Sequence, residues 1–142
     1  MIVLDANILF YAYDASSARH SQARATIERI LSEDQTVGIP WQTVSAFLGI
    51  VTHKSLPGQR FSIEEASSLI DQWLEQPNVR FLAPEEEHWT VLRRLLLSEQ
   101  VHGPMVSDAQ LAALILENGG ALYSTDRDFS RFKELRCTNP FD

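Results

Sequence analysis

Four short apolar runs, alternating with segments of helical spacing, constrain this chain more than any other feature. Met1-Ile-Val-Leu4, Val37-Gly-Ile39, Val79–Leu82 and Ala121–Ser124 read as strands. The first has no polar interruption before Asp5, which suits a strand covered on both faces. Ala6–Tyr13 reads as a short helix, and Ser17 to Asp34 as a longer one with Ala18, Ala23, Ile27, Ile30 and Leu31 apolar. Pro40 suits a first helical position, and Val44, Phe47, Leu48 and Val51 form the apolar face of the helix after it. Lys54–Phe61, with Pro57 and Gly58, reads as a loop. Ser62-Ile-Glu-Glu65 is a capping box that opens a helix running to Gln76, before Pro77. Pro84-Glu-Glu-Glu87 sets acids at the positive end of a helix that continues to Val101. Ser107 and Asp108 open another, ending at Asn118 ahead of Gly119-Gly120, and Arg136–Thr138 is a fifth strand candidate. This alternation predicts an α/β fold: a central, mainly parallel sheet of four or five strands flanked by helices. Ligands on such sheets bind beyond the carboxyl ends of the strands.

The length, 142 residues, fits a single domain spanning 1–142. Nineteen Asp and Glu against twelve Lys and Arg give a net charge of −7, which argues against long-range attraction of nucleic acid by the protein alone. A polyanionic substrate would need a cation in the site. One cysteine, Cys137, excludes an internal disulfide and fits a reducing compartment. Asp5 and Asn7 interrupt the apolar N-terminus, with no basic segment before them, so it does not read as a signal peptide. No apolar run approaches the ~20 residues of a membrane span; the longest lies near Leu111–Leu116. A cytoplasmic location without membrane contact is the expectation.

Three carboxylates stand where the ligand rule points. Asp5 follows the first strand, Asp126 follows the fourth by two residues, and Asp108 opens the helix that leads into the fourth. Taken singly, Asp5 and Asp108 read equally well as helix caps, and Thr125-Asp-Arg-Asp128 as an ordinary turn. Together, three acids at one edge would repel one another unless protonated or bound to a cation, and an all-oxygen cluster is what Mg²⁺ or Mn²⁺ prefers.

Met-Ile-Val-Leu-Asp-Ala-Asn at the N-terminus, Val106-Ser-Asp-Ala-Gln-Leu-Ala113 and Ser124-Thr-Asp-Arg-Asp-Phe129 together resemble the PIN domain, and more narrowly the VapC-type ribonuclease toxins of prokaryotic toxin–antitoxin pairs. The likeness covers essentially the whole chain, including the closing Asn139-Pro-Phe. It implies that Asp5, Asp108 and Asp126 are the acids of a metal site, that Asp128 is a further acid assisting the metal, and that Asn7 and Thr125 order these carboxylates. It implies metal-assisted hydrolysis of RNA phosphodiesters with Mg²⁺ or Mn²⁺, leaving a 5′ phosphate. Its implied partners are an antitoxin, whose tail would bring an arginine to Asp5 or Asp126, and a second copy of the chain. One position departs from the family pattern: Ala46 stands where a glutamate is usual, which leaves a second cation without its ligand. Gln42, one turn earlier, and Ser45, adjacent, are the candidates for a water-mediated substitute.

His20, His53, His88 and His102 share no ligand spacing and read as structural or solvated. Arg127 and Arg131 flank the last motif and are candidates for holding the RNA backbone, as are Lys54 and Arg60, although each also reads as surface charge. Trp41, Trp73 and Trp89 sit among apolar residues and read as core or subunit contacts rather than base-stacking platforms. A PIN domain that has lost catalysis and binds RNA or protein is the alternative with the same fold. A phosphatase using Asp5 as nucleophile lacks its second aspartate at Asn7, and a receiver domain lacks its paired acids and late lysine.

Overall fold

The computed structural model describes residues 1–55 and 61–142. Five strands among these residues, β1 (Ile2–Leu4), β2 (Val37–Pro40), β3 (Val79–Leu82), β4 (Ala121–Tyr123) and β5 (Cys137–Thr138), form one sheet in the order β3-β2-β1-β4-β5. Every pairing is parallel, with Ile2 opposite both Val37 and Ala121. Among the described residues, six α-helices join them: α1 (Ala6–Tyr13), α2 (His20–Ser32), α3 (Trp41–Val51), α4 (Ile63–Glu75), α5 (His88–Ser98) and α6 (Met105–Glu117). Alternate residues of β1 serve opposite sides. Ile2 and Leu4 join Ile8, Leu9, Ile30, Phe47 and Trp73 under α1 to α4. Val3 joins Leu95, Ile115, Leu122 and Phe132 under α5 and α6. Burial on both faces explains the unbroken apolar run at the N-terminus.

Gly38 of β2 shows how close that packing is. A Cβ there would lie 2.7 Å from Leu82 Cδ1 and 3.1 Å from Met1 Sδ, so a neighbour would have to move.

Several helix bounds differ from those expected. α2 begins at His20 rather than Ser17, because Ser17 Oγ accepts from the Arg19 amide and holds a separate turn. Pro40 is the last residue of β2 and caps α3 from extended backbone, so it lies just outside the helix. α5 begins at His88, not Pro84: a turn from Glu85 to His88 forms first, so Glu85 and Glu86 lie outside the helix and its first turn carries no acid. It ends at Ser98 because Gln100 takes φ +51°, and the Val101 amide bonds back to the Leu96 carbonyl. α6 begins at Met105 behind Pro104, which puts Asp108 inside the first turn instead of at its cap. Gly119, at φ +67°, closes that helix with the Gly120 amide on the Ile115 carbonyl. The capping box is present, with Ser62 and Glu65 bonded reciprocally at 3.0 and 3.1 Å.

The chain leaves β1 toward β2 and β3, then returns to place β4 on the other side of β1. The carboxyl ends of β1 and β4 therefore mark the switch point, where an open parallel sheet offers its ligand crevice.

Candidate active site

Asp5 is the residue after β1 and also the N-cap of α1. Its Oδ1 accepts from the Ala6 amide at 2.8 Å, and its Oδ2 accepts from the Ser124 hydroxyl at 2.6 Å. Ser124, the residue after β4 and almost wholly buried, accepts in turn from the Asp126 amide at 3.0 Å. One hydroxyl thus joins the two strand ends and the two acids that follow them. Asp126 caps a short 3-10 helix (Arg127–Arg131), with Oδ1 accepting from the Asp128 amide at 2.9 Å. The turn expected over Thr125–Asp128 is therefore the start of this helix.

Asp108, on the first turn of α6, points into the same place. Carboxylate oxygens of Asp108, Asp126 and Asp128 lie within 4.8 Å of one another. Asp5 is outside this tight group but shares a cleft of about 280 Å³ with Asp108 and Asp126. The four acids therefore divide into three with converging oxygens and one, Asp5, held by hydrogen bonds on both oxygens.

Burial, the largest cause, pushes the Asp5 carboxyl above its ordinary pKa; Ser124 and Ala6 oppose the rise, and Asp126 adds to it. Asp108 is raised as well, first by burial, then by Asp126, Asp128 and Asp5, with Arg131 acting in the opposite direction. Both shifts mean that negative charge is costly here without a compensating cation.

Asn7 Oδ1 faces the Thr125 amide at 3.5 Å, so Thr125 meets Asn7 through its backbone. Thr43, buried on α3, donates its hydroxyl to the Leu4 carbonyl at 3.0 Å and ties that helix to the end of β1. Ala46 lines the acidic cleft and contributes no oxygen. Gln42 lines it too, its side-chain amide donating to the Ser107 carbonyl and hydroxyl at 3.1 and 3.3 Å, whereas Ser45 lines a neighbouring cleft. Ser124 and Thr43 were not picked out from the sequence. For Ser124 a signal existed, since it directly precedes the Thr-Asp-Arg-Asp segment at a strand end.

Arg127 is exposed and, with Lys133 and Asn139, lines a cleft of about 400 Å³ on the other side of Asp126. Arg131 folds over its own helix, its Nε donating to the Asp128 carbonyl at 3.3 Å. Lys54 is exposed in a turn, and Arg60 lies outside the described residues, as does most of the expected Lys54–Phe61 loop. Among the described residues, no histidine lines the acidic cleft. His20 bonds the Tyr11 carbonyl, His53 bonds Ser55, His102 bonds the Gln100 carbonyl, and His88 pairs with Glu117 at 3.1 Å. Trp73 is core, its indole N–H donating to the Tyr13 hydroxyl. Trp41 and Trp89 are 49% and 60% exposed and so are not core residues. Among the described residues, no helix is long and apolar enough to cross a membrane.

Comparison with known proteins matches residues 2–135 to the PIN domain model. Ribonuclease VapC43 of Mycobacterium tuberculosis is 34% identical over 142 residues, covering all of this chain and 97% of the relative. Ribonuclease VapC48 of the same organism is 33% identical over 138 residues, covering 96% of this chain and 95% of the relative. Among solved structures, VapBC-1 from nontypeable Haemophilus influenzae superposes with a TM-score of 0.72 at 17% identity, over the full length of both chains. The Mycobacterium tuberculosis VapC20 toxin, described as cleaving the sarcin-ricin loop, gives 0.67 at 18% identity over 92% of this chain and 93% of that one. The sheet order, the acids beyond β1 and β4, and a family match across nearly the whole sequence agree: this chain belongs to the PIN domain family, alongside the VapC ribonucleases.

Proposed function

We propose that this chain is a divalent-cation-dependent endoribonuclease, the toxin of a toxin–antitoxin pair. The observation that carries the reading is the convergence of Asp108, Asp126 and Asp128 oxygens within 4.8 Å, in a cleft shared with Asp5. The donor set fits Mg²⁺ or Mn²⁺, being entirely carboxylate, and negative charge on Asp108 is disfavoured first by burial and then by the neighbouring acids. Asp5, Asp108 and Asp126 would hold the ion, with Asp128 assisting. When bound, such a cation offsets phosphate charge and makes an attacking water more acidic.

The chain's own residues do the rest. The Ser124 hydroxyl donates to the Asp5 carboxylate and accepts from the Asp126 amide, while the Asp128 amide donates to the Asp126 carboxylate, so both acids are held in place. Asn7 steadies the Thr125 backbone between them. Arg127 and Lys133 set positive charge along the cleft beyond Asp126, where the backbone of a bound strand would run, and Arg131 tempers the charge of Asp108.

Relatives named as ribonucleases at 33–34% identity over 96–100% of this chain support the reaction class. Neighbours solved as VapBC complexes support a VapB-like antitoxin as partner. An anionic cleft calls for a basic anchor on that antitoxin, best an arginine reaching Asp5 or Asp126. Trp89 and Leu97, about 60% exposed on α5, leave apolar surface for a second copy, as expected of a homodimer. The reading has the chain act in the cytoplasm as one domain spanning 1–142.

Purified protein with Mn²⁺ or Mg²⁺ is expected to cleave single-stranded RNA, and chelation or Asp126→Asn to abolish cleavage. Ala46 on the cleft wall favours one second reading, a PIN domain that binds RNA without cutting it. Equal residual activity in the unaltered protein and Asp126→Asn would establish that reading instead.

A further inference from the structure

Trp41, the first residue of α3, is 49% exposed, and its indole meets Phe81 edge-on with ring centroids 4.8 Å apart and planes at 79°. Phe81 holds the ring from one side and leaves much of it open to solvent. Beside it opens a second cleft of about 280 Å³, with Trp41, Gln42, Ser45, His88 and Gln110 on its walls. Gln42 also lines the acidic cleft, so the two cavities share a wall. That wall is fixed, because the Gln42 amide is pinned to Ser107 on α6. His88, also on its walls, is held by its contact with Glu117 at 3.1 Å, the two side chains being 12% and 7% exposed.

We infer that this second cleft is a nucleobase subsite: an unpaired base flanking the scissile phosphate stacks on Trp41 and meets Gln110 and Ser45 with its edge. The inference rests on the ribonuclease reading and extends it to the form of the substrate. An aromatic face flanked by uncharged amide and hydroxyl groups is the usual means of holding a splayed-out base. Carboxamides bond base edges in two directions, which an apolar protein contact would not require. The adjoining wall ties the base to the acids, and Arg127 and Lys133 lie beyond Asp126, so Trp41, the acids and the basic cleft are linked in turn by Gln42 and Asp126. RNA held this way must be single-stranded at the cleavage site.

Cleavage kinetics with Mn²⁺ test this on a short oligoribonucleotide and on copies carrying an abasic residue at each position in turn. Stacking contributes about 1–3 kcal/mol per base, so one abasic position is expected to lower kcat/KM about 5- to 150-fold, chiefly through KM. Trp41→Ala should suffer a similar loss on the intact oligonucleotide and no further loss at that position. Trp41→Phe should keep most of the effect, and Leu74→Ala, exposed on α4 and outside the cleft, should match the unaltered protein. A melting curve for each variant confirms folding. If Trp41→Ala retains full sensitivity to every abasic position, or alters only self-association, the subsite is refuted while cleavage stands. If the unaltered protein cuts no oligonucleotide, the ribonuclease reading beneath it falls.

Discussion

Asp108→Asn is expected to make the metal-free protein more stable at neutral pH. The Asp108 oxygen lies within 4.8 Å of partners on Asp126 and Asp128. At that separation, with the dielectric of water, each pair of charges repels by roughly 1 kcal/mol. Two pairs give about 2 kcal/mol, which solvent screening and Arg131 reduce, so about 1–2 kcal/mol is the expected gain. The sign follows from the raised carboxyl pKa. The folded state binds the Asp108 proton more tightly than the unfolded chain does, so this group favours folding below its ordinary pKa and loses that contribution as pH rises through the folded value. At pH 7 the full penalty is present, and at pH 3 it is absent. In a chain of 142 residues the gain corresponds to about 3–6 °C in Tm at pH 7 and low salt, shrinking toward zero at pH 3 and in 1 M salt. Differential scanning calorimetry in EDTA measures it. Saturating Mn²⁺ should reverse the order, since an ion at 100 times its Kd stabilises only the protein that binds it, by about 2.7 kcal/mol. A lower Tm for Asp108→Asn at pH 7, or the same change at pH 3, would refute the repulsion argument.

Ser124→Ala removes the hydroxyl between Asp5 and the Asp126 amide; cleavage is expected to fall 10- to 100-fold in a folded protein, read as initial rate against a melting curve. Ala46→Glu adds a carboxylate to the cleft wall and should tighten Mn²⁺ binding about fivefold by calorimetric titration while lowering the metal-free Tm. Gly38→Ala presses a methyl into Leu82 and Met1 and is expected to cost about 1–3 kcal/mol in urea unfolding with activity retained once folded.

How far the sequence determines this molecule shows in particular residues. Four of the strands follow from apolar runs, whereas β5, Cys137–Thr138, does not, and the switch point follows once β1 and β4 are neighbours. The α5 start misleads because three glutamates after Pro84 look like a first helical turn, yet the Glu85–His88 turn intervenes. Asp108 resembles a cap, but Pro104 starts the helix earlier and turns its carboxylate inward. Ser124 is a small polar residue whose role depends on a partner 119 positions away, a pairing that only the fold supplies. The exposure of Trp41 is likewise invisible in a sequence where it sits among apolar neighbours; its edge-on contact with Phe81 leaves half of the residue exposed.

A crystal of the protein grown with Mn²⁺, with the ion located by anomalous scattering, tests the proposed chemistry most directly. One ion is expected in the cleft beyond β1 and β4, with oxygens of Asp108 and Asp126 about 2.2 Å away and Asp5 or Asp128 completing its protein ligands. Ordered density for all four acids with no ion among them at saturating Mn²⁺, or an ion bound elsewhere, would contradict it.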